Sequence, residues 1–287
     1  MRLSIAVSLA LAAAVWLVVG SREASSASRT KYGFIVAAIC IGIVGIQYTT
    51  ALLPKLSGVG HKLNLQRKIQ HIATGLALAL IFLLFSAQVC TLALGAGTLA
   101  LILLQVARAA SETVNLEFLR LFGSMLKKEE RSATRPPAAV FFLLGLFLSL
   151  VTFPRRLTLL CTLVATLADP FAAIGGTAFG GPLLQLSAAH KSLGGCITCL
   201  SVAALLAVAV VLTTPGAEHT APSATDTAVV GLFCGLAAAA CEVAGGATSW
   251  LDDNLLVSFG TGLLIKVFAM VVDFAGLESK ALLALLS

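Results

Sequence analysis

The chain has 287 residues, 59% of them hydrophobic and 11% charged, with a formal net charge of +6 and a mean hydropathy of +1.00. A soluble domain covers its surface with roughly a quarter charged residues, so this composition excludes a water-soluble globule and points to an integral membrane protein. Long unbroken apolar runs exclude an alternating transmembrane barrel, and with no basic run interleaved with aromatics there is no nucleic-acid footprint, which leaves the positive charge to membrane topology.

In chain order, hydrophobic runs predict about nine helical spans at 3–20, 33–53, 71–86, 88–107, 138–153, 157–180, 193–213, 227–248 and 255–275, each near the roughly 20 residues that cross a bilayer. The predicted fold is all-α, a polytopic transmembrane helical bundle of about eight or nine spans, the count turning on the first. Residues 1–32 read as a signal-anchor or as a signal or transit segment: Met1-Arg2 precedes the apolar run, Ser25-Ser26-Ala27 is a small-residue exit, and Arg22, Arg29 and the serines suit organelle targeting. Residues 33–287 read as a single transmembrane domain. The third and fourth spans form one long run that divides at Ser86-Ala87-Gln88.

Loop charge orients the bundle. The N-terminus and the loops after spans two, four, six and eight hold 12 Lys and Arg residues; the opposite side holds 6. The richer side is cytosolic by the positive-inside rule. The polar clusters 64–71, 118–135, 179–192 and 251–254 all fall on it. Polar residues gathered on one face suit an enzyme with a cytosolic co-substrate. A transporter, which marks the far side or a central path as well, and a non-catalytic membrane protein are the readings of other classes.

Particular residues stand out against this apolar background. Asp169-Pro170 is a helix-start signal, Asp as cap and Pro at the first helical position, which predicts a helix broken near Asp169 with free N–H groups inside the membrane. An ionised carboxylate at that depth is costly and marks function. Gly175, Gly176, Gly180 and Gly181 suit a close helix crossing or a backbone open to phosphate oxygens. Arg67 and Lys68 share a helical face with His71, and Lys191-Ser192 precedes the seventh span with a cation for phosphate. Asp252, Asp253 and Asn254 read either as oxygen ligands for Mg²⁺ or Ca²⁺ or as a simple turn. Glu242, inside the eighth span, needs a partner or a proton; Lys266 is one candidate, although that lysine reads more readily as snorkelling to the interface. The CxxC of Cys196 and Cys199 lies alone in a predicted helix and reads as packing. No GxxxxGK[ST] occurs, which excludes a P-loop. As a set, these residues are the parts of a phosphoryl-transfer site.

The order Arg67-Lys68-x-x-His71-x-x-x-Gly75, Lys127-Lys128-Glu129, Asp169-x-x-Ala172-x-x-x-Gly176-x-x-Phe179-Gly180, Lys191-Ser192-x-Gly194 and Asp252-Asp253-Asn254 resembles the CTP-dependent lipid kinases, the superfamily of dolichol kinase, phytol kinase and CTP-dependent diacylglycerol kinase. The likeness covers roughly residues 62–270 and is strongest to the diacylglycerol kinase branch. It implies CTP from the cytosol as phosphate donor, with Mg²⁺ or Ca²⁺, and diacylglycerol as the lipid alcohol that becomes phosphatidate. It implies catalytic roles for Asp169, Arg67 and Lys68, and nucleotide contacts at Gly176, Gly180, Lys191, Ser192 and His71. It implies the endoplasmic reticulum and nuclear envelope as location, a plastid membrane being the alternative. A polyprenol, dolichol or phytol acceptor is the alternative substrate. Oligomeric state is open. Where the family often has a basic residue before Phe-Gly, this chain has Gly176-Thr177-Ala178 before Phe179.

Overall fold

The computed structural model describes Gly45 and residues 65–123, 125–182, 191–213, 222–245 and 252–287. The anticipated segment 1–32 and the spans 3–20 and 33–53 lie outside the described residues apart from Gly45. Among the described residues there are nine helices, here α1 (Leu65–Leu84), α2 (Ala87–Ala110), α3 (Glu112–Phe122), α4 (Ala138–Thr152), α5 (Arg155–Ala178), α6 (Leu193–Leu212), α7 (Ala224–Gly245), α8 (Asp253–Phe274) and α9 (Lys280–Leu286). Six of them, α1, α2, α5, α6, α7 and α8, are long and apolar enough to cross a membrane; α4 is apolar and shorter. Leu83, Leu103, Leu205, Leu212, Met270 and Phe274 are more than half exposed on these helices. Apolar residues turned outward in such number suit acyl chains and not water. The protein is a multi-pass membrane protein, and each of the seven predicted spans within the described residues is a helix.

The chain divides into two compact units, Met1–Phe147 and Leu148–Ser287, the division falling inside α4. In the first unit Ser86 opens α2, its hydroxyl accepting from Val89 N, which fixes the boundary between the third and fourth predicted spans. His71 of α1 packs its ring on Phe142 of α4, centroids 4.6 Å apart. Buried Arg108, in the last turn of α2, donates to Gln105 Oε1, Asn115 Oδ1 and the Glu130 carbonyl, and its guanidinium lies 3.9 Å over the Phe118 ring. Glu130 turns inward as well, accepting from the backbone N–H groups of Lys127 and Ala138. The charged 127–131 cluster therefore contains a buried staple that organises the connection from α3 to α4.

In the second unit α5 to α8 run up and down. At one end Asp226, in the first turn of α7, accepts from Ser279 Oγ at 2.6 Å and from Ala281 N at 2.8 Å, docking α9; Arg156 at the start of α5 donates to the Ala284 carbonyl. At the other end the C-termini of α5 and α7 meet the N-termini of α6 and α8. Close helix contact there depends on missing side chains. A Cβ on Gly175 would lie 2.0 Å from Thr198 Oγ1, and one on Gly195 would lie 2.9 Å from the Ala172 carbonyl. Such small-residue seams are how membrane helices gain packing when lipid supplies no hydrophobic drive.

The break anticipated at Asp169 is absent. Asp169 has helical dihedrals, φ −63° and ψ −52°, and α5 runs through from Arg155 to Ala178. What changes is the turn before it: Val164–Ala168 is π-helical. Pro170 has no N–H, and its ring collides with the carbonyl four residues back in a regular helix. Widening the preceding turn accommodates the ring without ending the helix. No helix N-terminus with free N–H groups forms at Asp169, so its carboxylate is not a cap.

A second π-helical turn, Leu256–Gly260, lies in α8 and packs against the first. Its cause is different. Ser258 Oγ donates to the Asn254 carbonyl at 2.6 Å, taking the acceptor that an α-helical N–H would use. Gly175→Val is expected to destabilise the protein by about 2 kcal/mol through overpacking against Thr198, read as a fall in Tm in detergent; Gly180→Ala at the loop is the contrasting variant, strained only by its φ of +59°.

Candidate functional site

Three carboxylates from three helices meet where α5, α7 and α8 approach one another. Asp169 comes from the middle of α5, nine residues before its end, which is about 14 Å along the axis. Glu242 lies in the last turn of α7, and Asp253 is the first residue of α8. One ligand oxygen from each lies within 4.8 Å of the other two. Gly245 makes this possible: a Cβ there would stand 2.5 Å from Asp253 Cα, so the end of α7 and the start of α8 touch backbone to backbone, and Asp253 is held beside Glu242.

Lys191 supplies the compensating charge. It immediately precedes Ser192, the cap of α6, whose hydroxyl accepts from Gly195 N. Its Nζ donates to Glu242 Oε1 in a very short ion pair and lies 3.4 Å from Asp253 Oδ2. Burial lowers the affinity of the ammonium for its proton, but the charges of Glu242, Asp253 and Asp169 and the hydrogen bond to Glu242 outweigh it, and the Lys191 pKa stands above the ordinary lysine value. Lysine is charged here.

One ammonium does not balance three carboxylates. At separations of up to 4.8 Å, each ionised carboxylate pair repels by on the order of 3 kcal/mol at an effective dielectric constant of about 20. Glu242 is buried, and its second oxygen, Oε2, has no hydrogen-bond partner among the described residues. A buried acceptor left without a donor is costly. The donor set is entirely oxygen, which suits Mg²⁺ or Ca²⁺ and fits poorly the nitrogen and sulfur preference of zinc.

The structure thus gathers Asp169, Lys191 and Asp253, which the sequence separates by up to 84 positions. It gives the neighbouring candidates different work. Asp252 Oδ1 accepts from Asn254 N at 3.0 Å and from Asn254 Nδ2 at 2.7 Å, so Asp252 and Asn254 build the start of α8. Of the three consecutive residues proposed as oxygen ligands, Asp253 is the one in the carboxylate cluster. Ser192 caps α6. Gly176 faces Ser192 Oγ, 2.8 Å from where its Cβ would be, and serves the crossing of α5 and α6. Gly180 instead has open space at its Cβ position and a left-handed φ of +59°, which turns the chain out of α5. Arg67, Lys68 and His71 stand in the first two turns of α1, in the first unit.

Glu242 is the member that motif reasoning left out of the site. Its signal was present, a carboxylate inside an apolar span, but its partner is Lys191 and not Lys266. Lys266 Nζ points instead to the Thr152 carbonyl at 3.5 Å. Cys199 is fully buried within α6 and Cys196 beside it is a free thiol, in keeping with packing.

This charge balance predicts an asymmetry. In chelator-containing detergent buffer, Lys191→Met leaves three carboxylates uncompensated and is expected to cost roughly 3–5 kcal/mol. Glu242→Gln removes one negative charge and leaves Lys191 beside Asp253, so it costs little. Thermal unfolding of the two variants side by side reads the difference. Comparison of the chain with protein-family models, with curated proteins and with solved structures found no match.

Proposed function

We propose that the protein is a CTP-dependent lipid kinase, transferring the γ-phosphate of CTP to the hydroxyl of diacylglycerol to give phosphatidate and CDP. The observation that supports this most is the meeting of Asp169, Lys191 and Asp253 around Glu242. Three stretches of the lipid-kinase motif set, distant in sequence, contribute side chains to one cluster at an end of the helix bundle. A cluster in this position is within reach both of a lipid hydroxyl and of a nucleotide from the aqueous side.

In this reading the lipid hydroxyl oxygen attacks the γ-phosphorus. The bond from that phosphorus to the β,γ-bridging oxygen breaks, and CDP departs with the electron pair. The proton of the hydroxyl passes to a cluster carboxylate oxygen that the cation does not engage; Asp169 either orients the hydroxyl or holds the cation. Lys191 faces the transferring phosphate and offsets its charge, a role that suits a compact ammonium on a flexible stem. Phosphoryl transfer asks mainly for such positioning and charge stabilisation. A divalent cation on the carboxylates, when bound, supplies further neutralisation of the phosphates. For Arg67 and Lys68 the support is the motif in the sequence, and their variants to Ala are expected to lower turnover with CTP. The endoplasmic reticulum or nuclear envelope, with the Lys191 end toward the cytosol, is the location this reading takes.

Purified protein is incubated with γ-labelled CTP and a panel of diacylglycerol, dolichol and phytol. Label on diacylglycerol is the expected result, and label on a prenol instead moves the protein to that branch. Asp169→Asn is expected to abolish labelling while the protein still accumulates in membranes. No labelled lipid from any acceptor overturns the kinase reading in favour of transport or a structural role.

A further inference from the structure

The carboxylates are more numerous than either phosphate binding or helix capping requires. A site built only to hold an anionic nucleotide would not place three negative groups around its lysine. Asp169, Glu242 and Asp253 come from three separate helices, so no single turn or cap accounts for their meeting. The contact of Gly245 with the backbone of Asp253 fixes two of them side by side. Glu242 brings an independent sign: its Oε2 is buried and has no hydrogen-bond partner among the described residues, although Oε1 is held by Lys191. Oxygens on opposite sides of an ion are separated by twice the ion–oxygen distance, about 4.6–5.2 Å for Ca²⁺ and about 4.0–4.2 Å for Mg²⁺. Spacings of up to 4.8 Å admit Ca²⁺ directly and Mg²⁺ after a small closure.

We propose that Asp169, Glu242 and Asp253 form a binding site for a divalent, oxygen-ligated cation, and that Lys191 is its built-in competitor, yielding Glu242 Oε1 when the cation binds. Three carboxylates and Lys191 leave two negative charges, and a divalent cation brings the cluster to neutrality. The cation takes Glu242 Oε2 as well, the oxygen that has no donor among the described residues. Released from Glu242, the Lys191 ammonium swings on its four-carbon stem toward the less buried side of the cluster. One event thus loads the site and frees a cation for a second, anionic ligand. The use of that freed lysine in phosphoryl transfer rests on the kinase reading; the cation site itself does not.

The test uses full-length protein in detergent with Mn²⁺ as the probe, followed by electron paramagnetic resonance in the absence of nucleotide and lipid. Wild type is expected to bind one Mn²⁺ that Mg²⁺ displaces. Glu242→Gln and Asp253→Asn are each expected to weaken binding by roughly 10–100-fold, as loss of metal-site groups does. Lys191→Met is expected to bind more tightly, because the competing ammonium is gone, and its Tm is expected to rise with added Mg²⁺ by more than that of wild type. A merely structural lysine would give the opposite order, with affinity falling as the site loosens. Where a variant fails to accumulate, Mn²⁺ binding and the Mg²⁺-dependent Tm of wild type still decide. Absence of Mn²⁺ binding by wild type overturns the site and leaves a shared proton as the balancing charge. Binding unmoved by Glu242→Gln and Asp253→Asn overturns the ligand set. Binding weakened by Lys191→Met overturns the competition. Because no CTP or lipid is present, a protein that binds Mn²⁺ as described and labels no lipid refutes the kinase reading and leaves the cation site standing.

Discussion

Three carboxylates crowded within one cluster against a single lysine form the constraint on which the second unit is organised. In water such a group is unremarkable. Between apolar helices each uncompensated charge costs several kcal/mol, and the cluster persists only because the helices that carry it are held together by other means. Those means are apolar and steric. Leu157, Leu160, Val164, Val257 and Ile265 are buried in the core of the unit, Arg156 and Asp226 tie α9 across its far end, and glycine seams bring the near ends into contact.

The two π-helical turns serve the same cluster. Val164–Ala168 directly precedes Asp169, and Leu256–Gly260 closely succeeds Asp253. A π turn adds a residue to the helical circuit and rotates the helix on its C-terminal side relative to the helix on its N-terminal side. Two of the three cluster residues thus sit next to a helical register change, and the two changed turns pack on one another. The causes are written locally, Pro170 in one helix and the Ser258 hydroxyl in the other. The result is tertiary: α5 keeps its length across the bilayer while Asp169 is presented to the neighbouring helices.

Much of the architecture was legible because a bilayer imposes simple requirements. Apolar length alone located seven of the nine described helices, and Ser86 marked the division between two of them. The Asp169-Pro170 pair was legible as an irregularity but not as the right one. Local capping rules predict a chain break, whereas a membrane helix gains by keeping its backbone hydrogen bonds and absorbs the proline in a wider turn. Glycines read equally well as phosphate cradle or helix seam, and the neighbours of Gly175, Gly176 and Gly195 show the seam, which no periodicity could. The pairing of Glu242 with Lys191 was out of reach, since 51 residues separate them and Lys266 lies nearer in sequence. Arg108 and Glu130 looked like loop charge by position, and their burial arises from a network that no periodicity encodes.

Exposure within the cluster adds a direction. The Glu242 side chain is 5% exposed, while Lys191 is 19% and Asp253 18% exposed. A ligand entering from the more exposed side of the cluster therefore meets Lys191 and Asp253 before Glu242. An anion meets the lysine together with the Asp253 carboxylate, and a cation must pass that lysine to reach the deepest carboxylate. Opposite charges that arrive together avoid this conflict, because each screens the other from the group that repels it. A metal-bound polyphosphate is such a pair: its cation satisfies the carboxylates while its oxygens engage the ammonium. On the proposed kinase reading, the arrangement of Lys191 and Asp253 over the deeper Glu242 suits such a pair, each ion meeting a group of opposite charge in one site.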